Sequence, residues 1–328
     1  IGYGHLSRLN AFSDILGDEF EKVFLTREDT GVEIINRNVK IKLLPKGLSV
    51  DGEIKCMAEH FSSKNHIIIA DGYQFNSSYQ KKVKDLGYKL IFIDDLVKFH
   101  MHADCVINHA ISLEENQYSG EKYVRYFLGS EYALLRSSFI ESSKSRAVKD
   151  IKLETAFVSF GGTNSSKITR SAVNSLLSFN TFKKIYVVVG KSFADVETIE
   201  FLNKNIRTEL FVDIDEKTMS KIMCKADFAI VPSSTISYEL ASSRCIIASG
   251  FTTENQFYIH EGLRNKNIIF ALGDISSFEE KDFNAQLEII LTSKKEVFQK
   301  KTQNQIKYFN GNQKERLVNI INSLEVKS

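Results

Sequence analysis

The sequence predicts an α/β fold built from two consecutive, mainly parallel open sheets, and three observations carry that prediction. Short apolar runs alternate with stretches of helical periodicity over most of the 328 residues, the pattern of repeated βα units. The alternation lapses once, in the polar and charged run Lys144–Asp150, and then starts afresh. Loops rich in Gly or Ser stand at the ends of several apolar runs, where open α/β sheets bind their ligands.

In the first half, strands are expected at Lys22–Thr26, Ile41–Leu44, His66–Ala70, Lys89–Ile93 and Cys105–Asn108, with helices at Gly52–Phe61 and Ser77–Leu86. In the second half, strands are expected at Thr155–Phe160, Lys184–Val189, Glu209–Val212, Phe228–Val231, Cys245–Ala248 and Asn267–Ala271. Helices fall between them at Lys167–Ser178, Ala194–Asn203, Glu216–Lys225, Thr235–Ser242 and Glu254–Asn265. The tail after Asp282 keeps helical spacing with a break at Gly311, and should form two or three closing helices. These readings place an N-terminal Rossmann-like domain at 1–146 and a second at 147–328, each long enough to bury a core. A ligand cleft is expected between them. The chain opens without methionine at Ile1-Gly2-Tyr3-Gly4-His5, a glycine loop of the kind that follows a strand. The expectation is that the first strand of the N-terminal domain is missing.

Composition narrows the function classes. Hydrophobic residues make up 43% and charged residues 26%, as in globular rather than disordered chains. The 43 basic and 41 acidic residues are interspersed and leave a net charge of +2, so nucleic acid is not an expected partner. Apolar runs such as Ile67–Ala70 and Tyr186–Val189 have strand length, and no membrane span or signal peptide is expected. Cys56, Cys105, Cys224 and Cys245 lie far apart without a C-x-x-C pair. That spacing argues for a reduced, cytoplasmic setting and against a disulfide framework.

Three loops have the residues that phosphate or sugar chemistry needs. Gly4 and His5 precede a helical pattern through Leu9, Phe12 and Leu16. His5 reads either as a general base or ligand hydrogen-bonder, or as a surface histidine on an ordinary turn. Phe160-Gly161-Gly162-Thr163-Asn164 ends a strand and enters a helix, so its backbone N–H groups can cradle phosphate. It lacks the lysine of a P-loop and the third glycine of a dinucleotide fingerprint, and no cofactor is expected. Val231-Pro232-Ser233-Ser234-Thr235 repeats the strand-to-helix geometry, with Glu239 one turn on, where a carboxylate can accept from a ribose diol. Taken alone, that segment would be a plain Ser/Thr N-cap with a surface glutamate. Two phosphate-ready helix starts in one domain favour a diphosphate.

The remaining candidates are weaker. Asp94 and Asp95 end a strand and point to opposite faces, which favours a structural role. Tyr73, in Asp71-Gly72-Tyr73, reads equally as a cleft residue or as packing under a loop. Asn255 and Gln256 open a helix and can bond a sugar or phosphate. His100, His102 and His109 have no H-x-x-x-H spacing or cysteine partner, so no metal is expected.

In order along the chain, these motifs resemble the UDP-sugar hydrolase of pseudaminic acid biosynthesis. The N-terminal half matches through Gly2-x-Gly4-His5, Asp71-Gly72-Tyr73, Ile93-Asp94-Asp95 and the run Gly129-Ser130-Glu131-Tyr132-Ala133-Leu134-Leu135-Arg136. The C-terminal half matches through Gly161-Gly162-Thr163, Ala226-Asp227, Ser233-Ser234-Thr235 with Glu239, and Asn255-Gln256. The resemblance implies the GT-B fold, related to the peptidoglycan N-acetylglucosaminyltransferase. It also implies release of UDP from UDP-2,4-diacetamido-2,4,6-trideoxy-β-L-altropyranose, with inversion at the anomeric carbon. By the same resemblance His5 activates the water, Tyr73 and Asn255 lie near the sugar, and Glu239 with the serine loop holds UDP. A UDP-sugar is then the expected partner; the sequence leaves the oligomeric state open, with a monomer favoured. Two other readings stay open: a GT-B glycosyltransferase using a UDP-sugar donor, and a non-catalytic nucleotide-sugar binding protein.

Overall fold

The computed structural model describes residues 3–28, 35, 39–145, 152–161 and 165–324. The chain divides into two compact units, Ile1–Ser137 with Asn312–Ser328, and Ser138–Gly311. Both edges differ from the expected division at 146. Helix α4 (Ser137–Ser145) opens the second unit, because Phe139 and Ile140 on it are buried. The last helix, α12 (Gln313–Asn322), returns to the first unit and packs against α1 (Tyr3–Leu16). Its buried Leu317, Ile320 and Ile321 supply the apolar face for that return. Gly311, at φ +80°, makes the turn between the units.

The first unit contains β1 (Val23–Arg27) and β2 (Lys40–Leu44), which pair in parallel as a two-stranded sheet. Helix α2 (Val50–His60) follows, then β3 (Ile67–Asp71), α3 (Ser77–Asp85) and β4 (Lys89–Ile93). Beyond them lie β5 (His100–Met101), β6 (Cys105–Asn108), β7 (Ser119–Gly120) and β8 (Arg125–Leu128). The parallel order β3-β4-β6-β8 forms the main sheet, and β5 pairs with β7 beside it. Met57, Tyr79, Val83, Leu90, Phe92 and Val106 form the core under α2 and α3. Side chains cap both helices: Ser49 accepts from the Gly52 N–H and Asn76 from the Tyr79 N–H.

Among the described residues, the second unit has six parallel strands: β9 (Thr155–Val158), β10 (Lys184–Val189), β11 (Thr208–Val212), β12 (Phe228–Pro232), β13 (Ile246–Phe251) and β14 (Phe270–Asp274). Helices α5 (Ser166–Ser178), α6 (Val196–Lys204), α7 (Glu216–Lys225), α8 (Thr235–Ser242) and α9 (Glu254–Asn265) connect them. Helices α10 (Glu280–Leu291) and α11 (Lys295–Tyr308) complete it. The spatial order is β11-β10-β9-β12-β13-β14. Chain direction across the sheet therefore reverses between β9 and β12, the crevice where such sheets take ligands. Strand β14 starts three residues later than expected because Asn267 is spent closing α9. Its φ is +51°, and its N–H bonds the Arg264 carbonyl at 2.9 Å.

Candidate functional site

In the first unit the carboxyl ends of β3, β4 and β6 converge on one buried polar cluster. His5 and Arg8, three residues apart, project from the same face of α1. Asp71 is the last residue of β3 and is 2% exposed. His5 Nδ1 lies 2.7 Å from Asp71 Oδ1. The Arg8 guanidinium donates to both Asp71 oxygens, Nε to Oδ2 at 2.9 Å and Nη2 to Oδ1 at 2.7 Å. Its Nη1 donates to Asp95 Oδ2 at 2.9 Å. Burial opposes the Arg8 charge, but Asp71 and Asp95 outweigh it and hold the group above its ordinary pKa. One cation thus compensates two buried carboxylates, with fork-like geometry on one of them.

The cluster accommodates two His5 tautomers: an unprotonated Nδ1 accepts from Arg8 Nη2, and a protonated Nδ1 donates to Asp71 Oδ1. Arg8 Nη2 lies 2.7 Å from His5 Nδ1 as well as from Asp71 Oδ1. When Nδ1 carries its proton to Asp71, the Nη2 hydrogen must go to the carboxylate, since two donors cannot bond each other. That arrangement leaves Nε2 with a lone pair, the form of histidine that accepts a proton from water. The Tyr73 ring meets the His5 ring edge-on, with centroids 4.7 Å apart, and Tyr73 itself is 47% exposed. His109, immediately after β6, is fully buried beside the cluster. Burial, reinforced by the Arg8 charge, pushes it down to about 3, so it is neutral.

Asp94 is engaged by its own loop. Its carboxylate accepts from the Leu96 and Val97 N–H groups at 3.3 and 3.0 Å, from Asn108 Nδ2 at 3.2 Å and from the Tyr118 hydroxyl at 2.9 Å. Burial still raises its pKa against those donors. Asp94 therefore shapes the turn after β4, including the left-handed Val97 at φ +56°. Gly4 and His5 lie within the first turn of α1 rather than in a loop before it. Gly4 is exposed, with nothing within 4 Å of the position a Cβ would take.

In the second unit the loops after β9 and β12 flank the sheet's reversal point. Gly161 follows β9 at φ +58° with open space where a Cβ would be. Gly162 and Thr163 lie outside the described residues. Ser233 ends the β12 run fully buried, its hydroxyl 2.8 Å from Ser249 Oγ and 3.0 Å from His260 Nδ1. Ser233 is thereby turned into the protein, while Ser234 and Thr235 are half-buried at the start of α8. Glu239, one turn further, is 4% exposed. Asn255 and Gln256 open α9, where Gln256 Oε1 accepts from the Thr252 N–H at 2.9 Å and Asn255 Oδ1 from the Thr253 hydroxyl at 2.6 Å.

The helix starts differ in a telling way. Asp195 and Asp215 cap α6 and α7 with their own side chains. Ser165 and Ser234, at the heads of α5 and α8, make no side-chain cap hydrogen bond. Thr253, at the head of α9, likewise makes none, so the starts of α5 and α8 at the reversal point are among those whose first N–H groups suit an outside anion. Sequence reading missed Arg8, Ser249 and His260 as partners of the site, and it weighed Asp95 only beside Asp94, favouring a structural role for the pair. The His5/Arg8 spacing on a helical pattern was the available signal for Arg8, whereas the others become neighbours only through the sheets.

No protein-family model matches the chain. An uncharacterized protein of Methanocaldococcus jannaschii is 26% identical over 248 residues, covering 70% of this chain and 49% of that protein. The chain thus spans about half the length of the relative it matches. MurG of Acinetobacter baumannii superposes with a TM-score of 0.63 at 13% identity, over 98% of this chain and 96% of that one. The S. aureus MnaA–UDP structure gives 0.63 at 10% identity, over 98% and 94% of the two chains. UGT2 of Phytolacca americana, complexed with UDP-2-fluoroglucose and pterostilbene, gives 0.64 at 11% identity, over 100% and 98%. The chain accordingly has the GT-B fold of glycosyltransferases, with two Rossmann-like units.

Proposed function

We propose that this protein hydrolyses a UDP-sugar, releasing UDP and the free sugar by inverting attack of water at the anomeric carbon. The observation that carries the reading is the buried His5–Asp71–Arg8 constellation, a histidine whose Nδ1 is anchored on a charge-compensated carboxylate. In the reaction, Nε2 of His5 takes a proton from water as its oxygen bonds the anomeric carbon. The bond from that carbon to the β-phosphate oxygen breaks, and UDP leaves with the electron pair. Asp71 stabilises the imidazolium that forms, and Arg8 holds Asp71 in place. UDP is assigned to the second unit, its diphosphate at the starts of α5 and α8 with Gly161, Ser234 and Thr235, and with Gly162 and Thr163 carried over from the sequence motif. Those N–H groups offset the charge of the departing diphosphate. Glu239 is assigned to the ribose, and Tyr73, Asn255 and Gln256 to the sugar. The family resemblance in the motifs points to UDP-2,4-diacetamido-2,4,6-trideoxy-β-L-altropyranose, an intermediate of pseudaminic acid biosynthesis, as that sugar nucleotide.

The test is to incubate the protein with that sugar nucleotide and follow UDP release, alongside His5→Ala. Release without added acceptor, lost by at least about 10²-fold in His5→Ala, is the expected result. Release that appears only when a sugar acceptor is supplied would replace the hydrolase with a glycosyltransferase. UDP binding without turnover in either form would leave a binding protein.

A further inference from the structure

We propose that the first unit carries a second site, a surface site for a divalent transition metal formed by His100, His102 and Glu121. It lies at the end of the sheet away from His5. Asp71 lies at the carboxyl end of β3, and Asp95 and His109 follow those of β4 and β6, whereas His102 precedes the amino end of β6. The four residues of β6 separate the two ends by about 13 Å of strand rise.

Backbone pairing assembles the three side chains. Strands β5 and β7 are parallel, with His100 opposite Ser119 and Met101 opposite Gly120. One further step of that register sets His102 beside Glu121, and a Glu121 N–H bond to the Met101 carbonyl at 3.0 Å holds the step. His100 and His102, two residues apart on extended chain, share a face. His100 Nε2 and His102 Nδ1 lie 3.3 and 3.4 Å from the same oxygen, Glu121 Oε1. All three ligand atoms fall within 4.8 Å of one another.

The 3.3 Å contact also serves as a long hydrogen bond when no ion is bound, but the spacing suits shared metal ligands as well. Ligand atoms bonded at about 2.05 Å to a tetrahedral zinc stand about 3.3 Å apart, the length of two edges of this triangle. The outer contacts also suit a metal. His100 Nδ1 is 2.7 Å from Ser119 Oγ, which orients the ring with Nε2 toward Glu121. The Tyr123 hydroxyl donates to the His102 carbonyl at 3.0 Å and steadies that segment. Two imidazoles and one carboxylate select zinc, cobalt, nickel or copper over magnesium or calcium. With His100 and Glu121 side chains each 43% exposed, a fourth position stays open to water. A bound ion would tie β5 to β7 and stabilise this unit by mass action. Sequence spacing gave no such expectation, because the motif is a strand H-x-H completed by a residue from another strand.

The experiment uses the whole protein freed of metal by chelation, then titrated with ZnCl₂ by calorimetry and with CoCl₂ by visible absorption. One equivalent of zinc, a raised Tm with zinc but not magnesium, and cobalt bands of tetrahedral intensity are expected. His102→Ala and Glu121→Gln should each weaken zinc binding about tenfold or more. His60→Ala is the control, since His60 lies 3.8 Å from Cys56 Sγ and is the rival ligand pair. Glu121→Gln keeps the side-chain volume, so its result stands even where a histidine variant is unstable. Substoichiometric binding, or binding that survives His102→Ala and Glu121→Gln, would mean an adventitious ion only and overturn the proposal.

Discussion

Acidification should weaken this protein through His109 in a way that can be isolated from every other group. Its side chain is buried, and burial with the neighbouring Arg8 charge holds its pKa at about 3, against 6.5 for the free side chain. The folded-state pKa lies below the unfolded one, so between pH 6.5 and 3 the unfolded chain binds more protons. Stability from this residue is fully present above about pH 6.5 and is lost as the pH falls through that window. Each pH unit inside the window costs about 1.4 kcal/mol, so passing from pH 7 to pH 5 removes about 1.9 kcal/mol. Asp94 works in the opposite sense, because burial raises its pKa. The raw pH profile therefore mixes the two. The assay is urea unfolding at pH 7 and pH 5 of the native protein and of His109→Asn, comparing the two pH-dependent losses. The native protein should lose about 1.9 kcal/mol more than the variant. Equal losses would mean that His109 protonates as readily in the folded protein as in the unfolded one. The burial argument for a neutral histidine beside the Arg8 cluster would then fail.

Asp71→Asn keeps the shape of the cluster but removes the charge that anchors His5, so kcat for UDP release should fall by on the order of 10³-fold with KM changed far less. A loss confined to KM would assign Asp71 to substrate binding instead. Gly311→Ala should destabilise the protein by about 1–3 kcal/mol, read as a lower Tm. At φ +80° its added Cβ would stand 2.5 Å from Ser143 Oγ and 3.1 Å from the Ile140 carbonyl oxygen. An unchanged Tm would show that the turn into α12 relaxes freely.

Much of the architecture was legible because periodicity is a local property. Strands β4, β6 and β10 and helices α7, α8 and α9 fall on the residues their apolar spacing marked. Strand β8, Arg-Tyr-Phe-Leu, escaped notice because it is short and only half-buried, so it shows no strong apolar run. The pairing of β5 with β7 escaped for a different reason: two-residue strands exist only through their partners. The division at 146 rested on a polar run, but the buried face of α4 opens the second unit earlier, and α12 goes back to the first.

The candidate site divides along the same line. Glycine and serine loops at strand ends were visible in sequence, because a strand, a small-residue turn and a helix are contiguous. By itself the sequence determined the fold class, the strand-end placement of Asp71, Asp94 and Ser233, and His5 as the candidate base. Only the tertiary structure decided that Arg8 clamps Asp71 and Asp95, that Asp94 is taken up by its own turn, and that Ser233 faces Ser249 and His260. Hydrophobic patterning specifies which face of an element is buried, and that is read within a dozen residues. Which charges meet across 63 or 87 residues depends on strand order and register, and these are settled only when the sheets assemble.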